Sequence, residues 1–368
     1  MRMQRRYLSF GDHMTLHKTL LGLVAGTVLA VSGAFAQSYP ERQINMVVPF
    51  LAGGSTDDVA RVIVDAMSAD LGQQIVVENI NGAGGTLGAG KVASAEPDGY
   101  TVLLHTIYMA TSDVLYSELP YDTLTAFEYV GLVTDVPMII VARKDFPPGD
   151  FNSLIDYLKA NAATVTMATA TVGGALHLCG MLFMSEIETQ LKTVPYSGSS
   201  PAMNDLLAGR FDFMCVQATN SMEHIKDGAI KAYAVTTPAR LAVLPDLPTA
   251  IESGLVSFDV SVWHGIFTPK GTPAAVNERL SAALQKALAN PDVIARFAEL
   301  GTEPSAAADA TPAALRARLE AEIPRWKTLQ GLALPHGSAR YPSTRHARAL
   351  TLRMPLQGPC SSPSACRR

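Results

Sequence analysis

The sequence predicts a two-lobed α/β protein, each lobe a sheet flanked by helices, with two extended crossover strands as the hinge. Three observations carry this. Apolar strand-like runs alternate with amphipathic helix-like ones from Gln43 onward, and a second block of the same kind begins after "FEYVGLVTDVPMIIVARKDF". The last helical segments have no strands of their own to cover, so they must return to the first sheet. Two crossings follow, near 136–141 and 258–263. In two lobes joined this way, ligands sit between the lobes at strand carboxyl ends.

The elements follow in order. "INMVVPF" reads as a buried strand, 57–71 as a helix, "QIVVEN" as a strand, 89–95 as a short helix and "YTVLLHT" as a strand. The second block gives a helix over 151–161, "TVTMAT", a helix over 176–188, "LKTVPY", a helix over 200–208, then "FDFMCV" and "IKAYAVTT". Helices follow from Pro273 to Asn290, from Pro291, and from Thr311 to Leu329. Residues 37–138 and 260–330 are expected to form one discontinuous domain, and 139–259 the other.

The chain has 368 residues, 48% hydrophobic and 17% charged, with a net charge of −4. It can bury a substantial core, and it lacks the basic excess of a nucleic-acid binder. From Met14, "MTLHKTLLGLVAGTVLAVSGAFAQS" has a basic start, an apolar run and an Ala34-Phe35-Ala36 cleavage site, so 1–36 reads as a secretory signal peptide with its start at Met14. An uncleaved anchor is the alternative, and the apolar run is short for a membrane span. After Gln330 the chain has no acidic residue and no sustained period; 331–368 reads as a disordered tail or a frameshifted end, with a basic arm as the alternative.

The cysteines are Cys179, Cys215, Cys360 and Cys366. Cys179 and Cys215 can pair in an oxidising compartment, but both stand in apolar runs, and buried free thiols are the expectation. No Cys/His spacing suggests a metal site.

Three glycine-rich turns follow strands. "NGAGGTLGAGK" has the GxxxxGK spacing of a phosphate loop, but Val92 stands where the magnesium-binding hydroxyl belongs. "PFLAGGSTDD" offers Ser55 or Thr56 as N-cap, and Ser55 with Asp58 fits a capping box. Capping explains the serine and the acids but not Gly53 and Gly54, which permit close approach of main chain to a ligand. A helix start with bare amides favours an anion, and two nearby acids suit a single carboxylate better than a phosphate. "MATATVGGALHL" repeats the design in the second block, so Thr169, Thr171 and Gly173 would face the first turn across a cleft. A hydrolase lacks support: "YSGSSPA" has no GxSxG elbow, and His177 and His264 have no partner motif.

"YPERQINMVVPFLAGGSTDDVAR", "VENINGAGGTLGAGKVASAEPDGYTVLL", "TVPYSGSSPAMNDLLAGRFDFM" and "LPDLPTAIESGLVSFDVSVWHGIFTPKGTP" resemble, in order and spacing, the substrate-binding proteins of tripartite tricarboxylate transporters, the Bug family. The match runs from about Tyr39 to Trp326. The resemblance implies a type II periplasmic binding protein of Venus-flytrap form, a monomer that delivers a carboxylate to membrane permease subunits. It implies no enzyme activity, no catalytic residue, no metal and no cofactor. The solute's carboxylate would be held by Gly53, Gly54, Ser55, Thr56 and Asp57 on one lobe and by Thr169, Thr171, Val172 and Gly173 on the other. Thr106 and Ser197 are further candidates by position, with Ala83, Gly84 and Gly85 lining the second turn.

The family commonly has Gly where Thr171 stands, Ser where Gly174 stands and an acid where Met181 stands. His105, Tyr108 and His264 would narrow the cleft if they point into it. Di- and tricarboxylates, aromatic carboxylates and amino acids all suit an amide clamp. A carboxylate sensor feeding a signalling receptor is the alternative to transport.

Overall fold

Ile44, Met46, Val47 and Val48 are fully buried, as a run apolar on both faces must be at the centre of a parallel sheet. In the computed structural model this run, Ile44–Val48 (β1), lies between Ile75–Asn79 (β2) and Thr101–Thr106 (β3), parallel to both. The structure describes residues 39–116, 118–170, 173–256 and 258–333. The signal-peptide expectation over 1–36 and nearly all of the tail expectation lie outside the described residues.

Ser55–Leu71 (α1) joins β1 to β2 and buries Val59, Ala60, Ile63, Val64 and Met67, the i, i+4, i+8 stripe of an amphipathic helix. Gly72 ends it in the left-handed region, φ 72°, with its N–H on the Ser68 carbonyl. A 3-10 turn at Ala83–Gly85 leads into Thr86–Ala93 (α2), three residues earlier than periodicity predicts. Tyr108–Leu115 (α3), which the sequence did not suggest, follows β3.

Phe127–Arg143 (β4) spans both lobes. Its residues from Phe127 to Pro137 pair with Ser261–Pro269 (β9), which in turn pairs antiparallel with β3. From Met138 onward β4 changes partners and runs between Phe213–Gln217 (β7) and Ile230–Val235 (β8), antiparallel to both. Thr166–Thr169 (β5) lies parallel to β7 and to Lys192–Pro195 (β6). The strand order is therefore β2-β1-β3-β9-β4-β7-β5-β6, with β8 on β4. This is a two-lobed α/β fold built of mixed sheets.

Helices Phe151–Ala160 (α4), Ala175–Glu186 (α5), Ser199–Leu207 (α6) and Ala218–Lys226 (α7) belong to the second block. Ala274–Leu288 (α8), Pro291–Glu299 (α9) and Pro312–Ala333 (α10) return to the first sheet. Asp70 at the end of α1 takes both Arg279 and Lys286 of α8, the latter at 2.6 Å. Helix α10 packs on α3 and β4 and runs past Gln330, so the structured chain extends beyond the boundary expected for the tail.

At the crossing, the Thr236 hydroxyl donates to the Val260 carbonyl and accepts the Met138 N–H at 3.1 Å. The Thr236 N–H bonds the Met138 carbonyl at 3.0 Å. One threonine thus ties β4 to the segment that enters β9.

Cys179 on α5 and Cys215 on β7 form a disulfide, which corrects the free-thiol expectation. Both residues are buried, as their apolar runs require, but α5 packs directly over β7 and brings the two together with Cα atoms 6.0 Å apart. Among the described residues no helix is long and apolar enough to cross a membrane.

Candidate functional site

The turn after β1 is shaped by its two glycines. Gly53 adopts φ +70°, a region that disfavours other residues. Gly54 is the N-cap of α1 in extended conformation, and no side chain caps the helix. This corrects the capping-box expectation: Ser55 is the first helical residue, and its hydroxyl is buried with no partner among the described residues. The N–H groups of Ser55, Thr56 and Asp57 precede the first intrahelical bond, Asp58 N–H to Gly54 carbonyl at 3.0 Å, and stay free of one.

Asp57 faces back into its own turn. One carboxylate oxygen accepts the Gly53 N–H at 2.9 Å and Arg61 Nε at 2.8 Å; the other accepts Asn79 Nδ2 at 3.0 Å. Burial pushes this carboxyl up, but the bonds from Arg61, Gly53 and Asn79 outweigh it and hold it below the ordinary carboxylate range. Its role in the structure is to hold the loop.

Asp58 behaves oppositely: burial, then the neighbouring Asp57, push its carboxyl up to about 6. A carboxyl whose folded pKa lies above its unfolded value of about 3.9 makes stability fall as pH rises through the window between the two. Asp58→Asn is therefore expected to raise stability by about 1–3 kcal/mol at pH 8 and to change little at pH 4. Thermal unfolding at the two pH values checks this, and an equal shift at both would contradict it.

The turn after β5 repeats the design. Gly173 has φ +82°, Gly174 is the extended N-cap of α5 without a side-chain cap, and the Leu178 N–H closes on the Gly174 carbonyl at 2.8 Å. The Gly173 N–H donates to His177 Nδ1 at 3.2 Å, as the Gly53 N–H donates to Asp57. Burial holds the His177 imidazole below its ordinary pKa, so it stays neutral and available as an acceptor. The amides of Ala175, Leu176 and His177 are then the free helix start.

The two turns interlock. Ser200 of α6 donates to the Gly53 carbonyl at 2.8 Å, and Thr111 of α3 donates to the Gly173 carbonyl at 3.0 Å. A side chain at Gly173 would begin 2.1 Å from Leu115 Cδ1, and the positive φ at this position disfavours other residues.

Between the turns lies a cavity of about 50 Å³, room for a few waters. Gly54, Ser55, Thr56, Thr106 and Ser197 line it, all five singled out from sequence. Of the other residues named from sequence, Gly53 and Asp57 shape the first turn, Gly173 the second. Thr169 is buried beneath, its carbonyl taking the Tyr196 N–H at 2.8 Å. Gly84 lies under the Tyr116 hydroxyl. Thr171 and Val172 lie outside the described residues.

Sequence reasoning missed Phe50, Leu51, Asn81, Ala170, Ser199, Ser200 and Gln217 as lining residues, along with the apolar starts of α5, Ala175 and Leu176. Tyr108 does line the cavity. No lining residue carries a charged side chain.

His105 and His264 do not reach the cleft. Both are fully buried on the neighbouring strands β3 and β9, and burial takes each down to about 3, so both stay neutral. Lys91 of the phosphate-loop-like turn is spent on Glu78, at 2.7 and 2.8 Å. Among the described residues no cluster of three or more His, Cys, Asp or Glu side chains can hold a metal ion.

Residues 59–329 match the Tripartite tricarboxylate transporter family receptor (TctC). The chain belongs to this family. As a receptor of that family it is a periplasmic solute-binding protein. A curated relative, the UPF0065 protein in the TAR-I ttuE-ttuC' intergenic region of Agrobacterium vitis, is 49% identical over 82% of this chain and 88% of its own. The solved structure of the periplasmic binding protein BugD is 47% identical, with a TM-score of 0.77 over 80% of this chain and 98% of that one. The structure of MatC from Rhodopseudomonas palustris with bound malate is 37% identical, with a TM-score of 0.75 over 79% of this chain and 99% of that one. The receptor's two glycine turns thus sit within a fold that these relatives share along nearly their whole length.

Proposed function

We propose that the cavity between the two turns clamps one carboxylate of a small dicarboxylic acid, and that the receptor delivers this acid to the membrane permease subunits of its transporter. The observation that carries the reading is the facing pair of uncapped helix starts. Amides at Ser55 and Thr56 and at Ala175 and Leu176 meet at one cavity whose lining holds no charged side chain. Helix starts attract anions through free N–H groups and the aligned peptide dipoles. Neutral donors suit a single carboxylate, and they leave no unpaired buried charge when the solute departs. Malate in MatC supports the dicarboxylate class.

Residues 37–138 with 260–330 form one lobe and 139–259 the other, hinged where Thr236 bonds Met138 and Val260. The lobes close on the solute because it contacts both, and only such differential contact shifts the equilibrium toward closure. Residues 1–36 are the leader that exports the chain. The receptor works as a monomer, without a cofactor and without catalysis.

A thermal-shift panel of organic acids tests this, followed by calorimetry on the acids that register. An acid at a hundred times its Kd stabilises by about 2.7 kcal/mol, a shift of roughly 5 °C for a chain of this size. Dicarboxylates are expected to lead the panel. A panel in which no carboxylate shifts the transition would sink the proposal.

A further inference from the structure

Two cavity-lining side chains keep a buried polar atom without a partner among the described residues: Ser55 Oγ at the start of α1, and Gln217 Nε2 at the end of β7. The residues are 2% and 6% exposed. Folds satisfy nearly all such groups, so an orphan facing a binding cavity is one that a ligand completes. Among the described residues no partner satisfies Gln217 Nε2. It stands at the N-cap position of α7, yet its side chain makes no capping bond.

Its place in the fold sets it across the cavity from the α1 start. Gln217 pairs with Met138, the residue at which β4 leaves β9 for β7, so it sits on the cleft floor beside the crossing. The α1 start follows β1, and β3, β9 and β4 stand between β1 and β7. A solute whose carboxylate is held at Ser55 and Thr56 therefore extends across the cavity toward Gln217.

We infer that Gln217 is a specificity-determining residue whose side-chain amide donates to the second carboxylate of the solute, separating dicarboxylates from monocarboxylates of equal length. The inference rests on the carboxylate reading of the cleft. An amide bonding an ionised oxygen makes a charge-assisted hydrogen bond, stronger than one between neutral groups. Lysine or arginine at this floor position would instead bury an unpaired charge whenever the cleft emptied.

Calorimetry with succinate, malate and butyrate on the wild type, Gln217→Met and Gln217→Asn tests the assignment. The wild type is expected to prefer succinate and malate to butyrate. Gln217→Met fills the space without a donor and should weaken both dicarboxylates by about 10- to 100-fold while butyrate changes less than about threefold. Gln217→Asn keeps the amide one methylene short, and is expected to lose the same preference. Thermal unfolding establishes that each variant is folded, and if the methionine variant is not, the asparagine variant decides by the same ratio. Equal weakening of all three acids, or unchanged binding of the dicarboxylates, overturns the role of Gln217 and leaves the clamp intact. A wild type that binds none of the three overturns the carboxylate reading itself, and this assignment with it.

Discussion

Removing the bond between Cys179 and Cys215, by reduction or by the double substitution to alanine, is expected to destabilise the protein by about 4 kcal/mol. The bond closes a loop of sequence separation 36. In the chain-entropy account, a loop of that length loses enough freedom in the unfolded state to contribute this amount. At roughly 2 °C per kcal/mol for a chain of this size, the transition should fall by about 8 °C. The alanine variant adds the loss of two buried sulfurs, because Cys179 is 0% and Cys215 2% exposed, so it should fall further than the reduced wild type. Thermal unfolding with and without reductant separates the two terms: the wild type should respond to reductant and the variant should not. A reduced wild type with an unchanged transition would contradict the account.

The same bond has a functional side. Cys179 lies on α5, whose first residues Ala175 and Leu176 line the cavity, and Cys215 lies two residues before Gln217 on β7. The disulfide therefore fastens the helix start of the second lobe to the strand that carries the cleft floor. Donors fixed before the solute arrives need no ordering on binding.

The alternation of strand and helix was legible because β1, β3 and β7 are buried along most of their length and read as mainly apolar runs. Helix α3 was not, because "YMATSDVL" is short, β-branched and hydroxyl-rich residues interrupt it, and Ile107 at its start offers no cap. Packing against α10, nearly two hundred residues away along the chain, holds it in place. Helix α7 was hidden because it starts directly after β7 with no turn residue between them.

The site divides in the same way. Glycines after a strand announce a close approach, so Gly54, Ser55 and Thr56 were visible. Asp57 shows the limit: sequence cannot tell a carboxylate turned toward a ligand from one turned back to Gly53 and Asn79. The pairing of Cys179 with Cys215 and the exposure of Gln217 to the cleft depend on how β7 lies against α5 and β4. No local pattern encodes that placement.

Ser55→Asp is expected to weaken solute binding about a thousandfold while leaving the fold intact. Ser55 is the first residue of α1, a position where a negative side chain is favoured by the helix dipole, so the substitution should be tolerated locally. Its side chain lines the cavity, and the new carboxylate would sit beside the solute's own. Two like charges about 4 Å apart at an effective dielectric of about 20 repel by roughly 4 kcal/mol, which is about three decades in Kd. The aspartate would also compete for the same free amides of the first helical turn. Ser55→Ala isolates the contact from the charge. It removes one hydrogen bond to an anion, about 1.5–3 kcal/mol, so a loss of about 10- to 100-fold is expected. Calorimetry should place aspartate far below alanine, with thermal unfolding showing that both variants are folded. Equal affinity in the aspartate variant and the wild type would mean that the solute's charge lies elsewhere, because no neutral rearrangement of α1 could hide a carboxylate at a residue that is 2% exposed and faces the cavity.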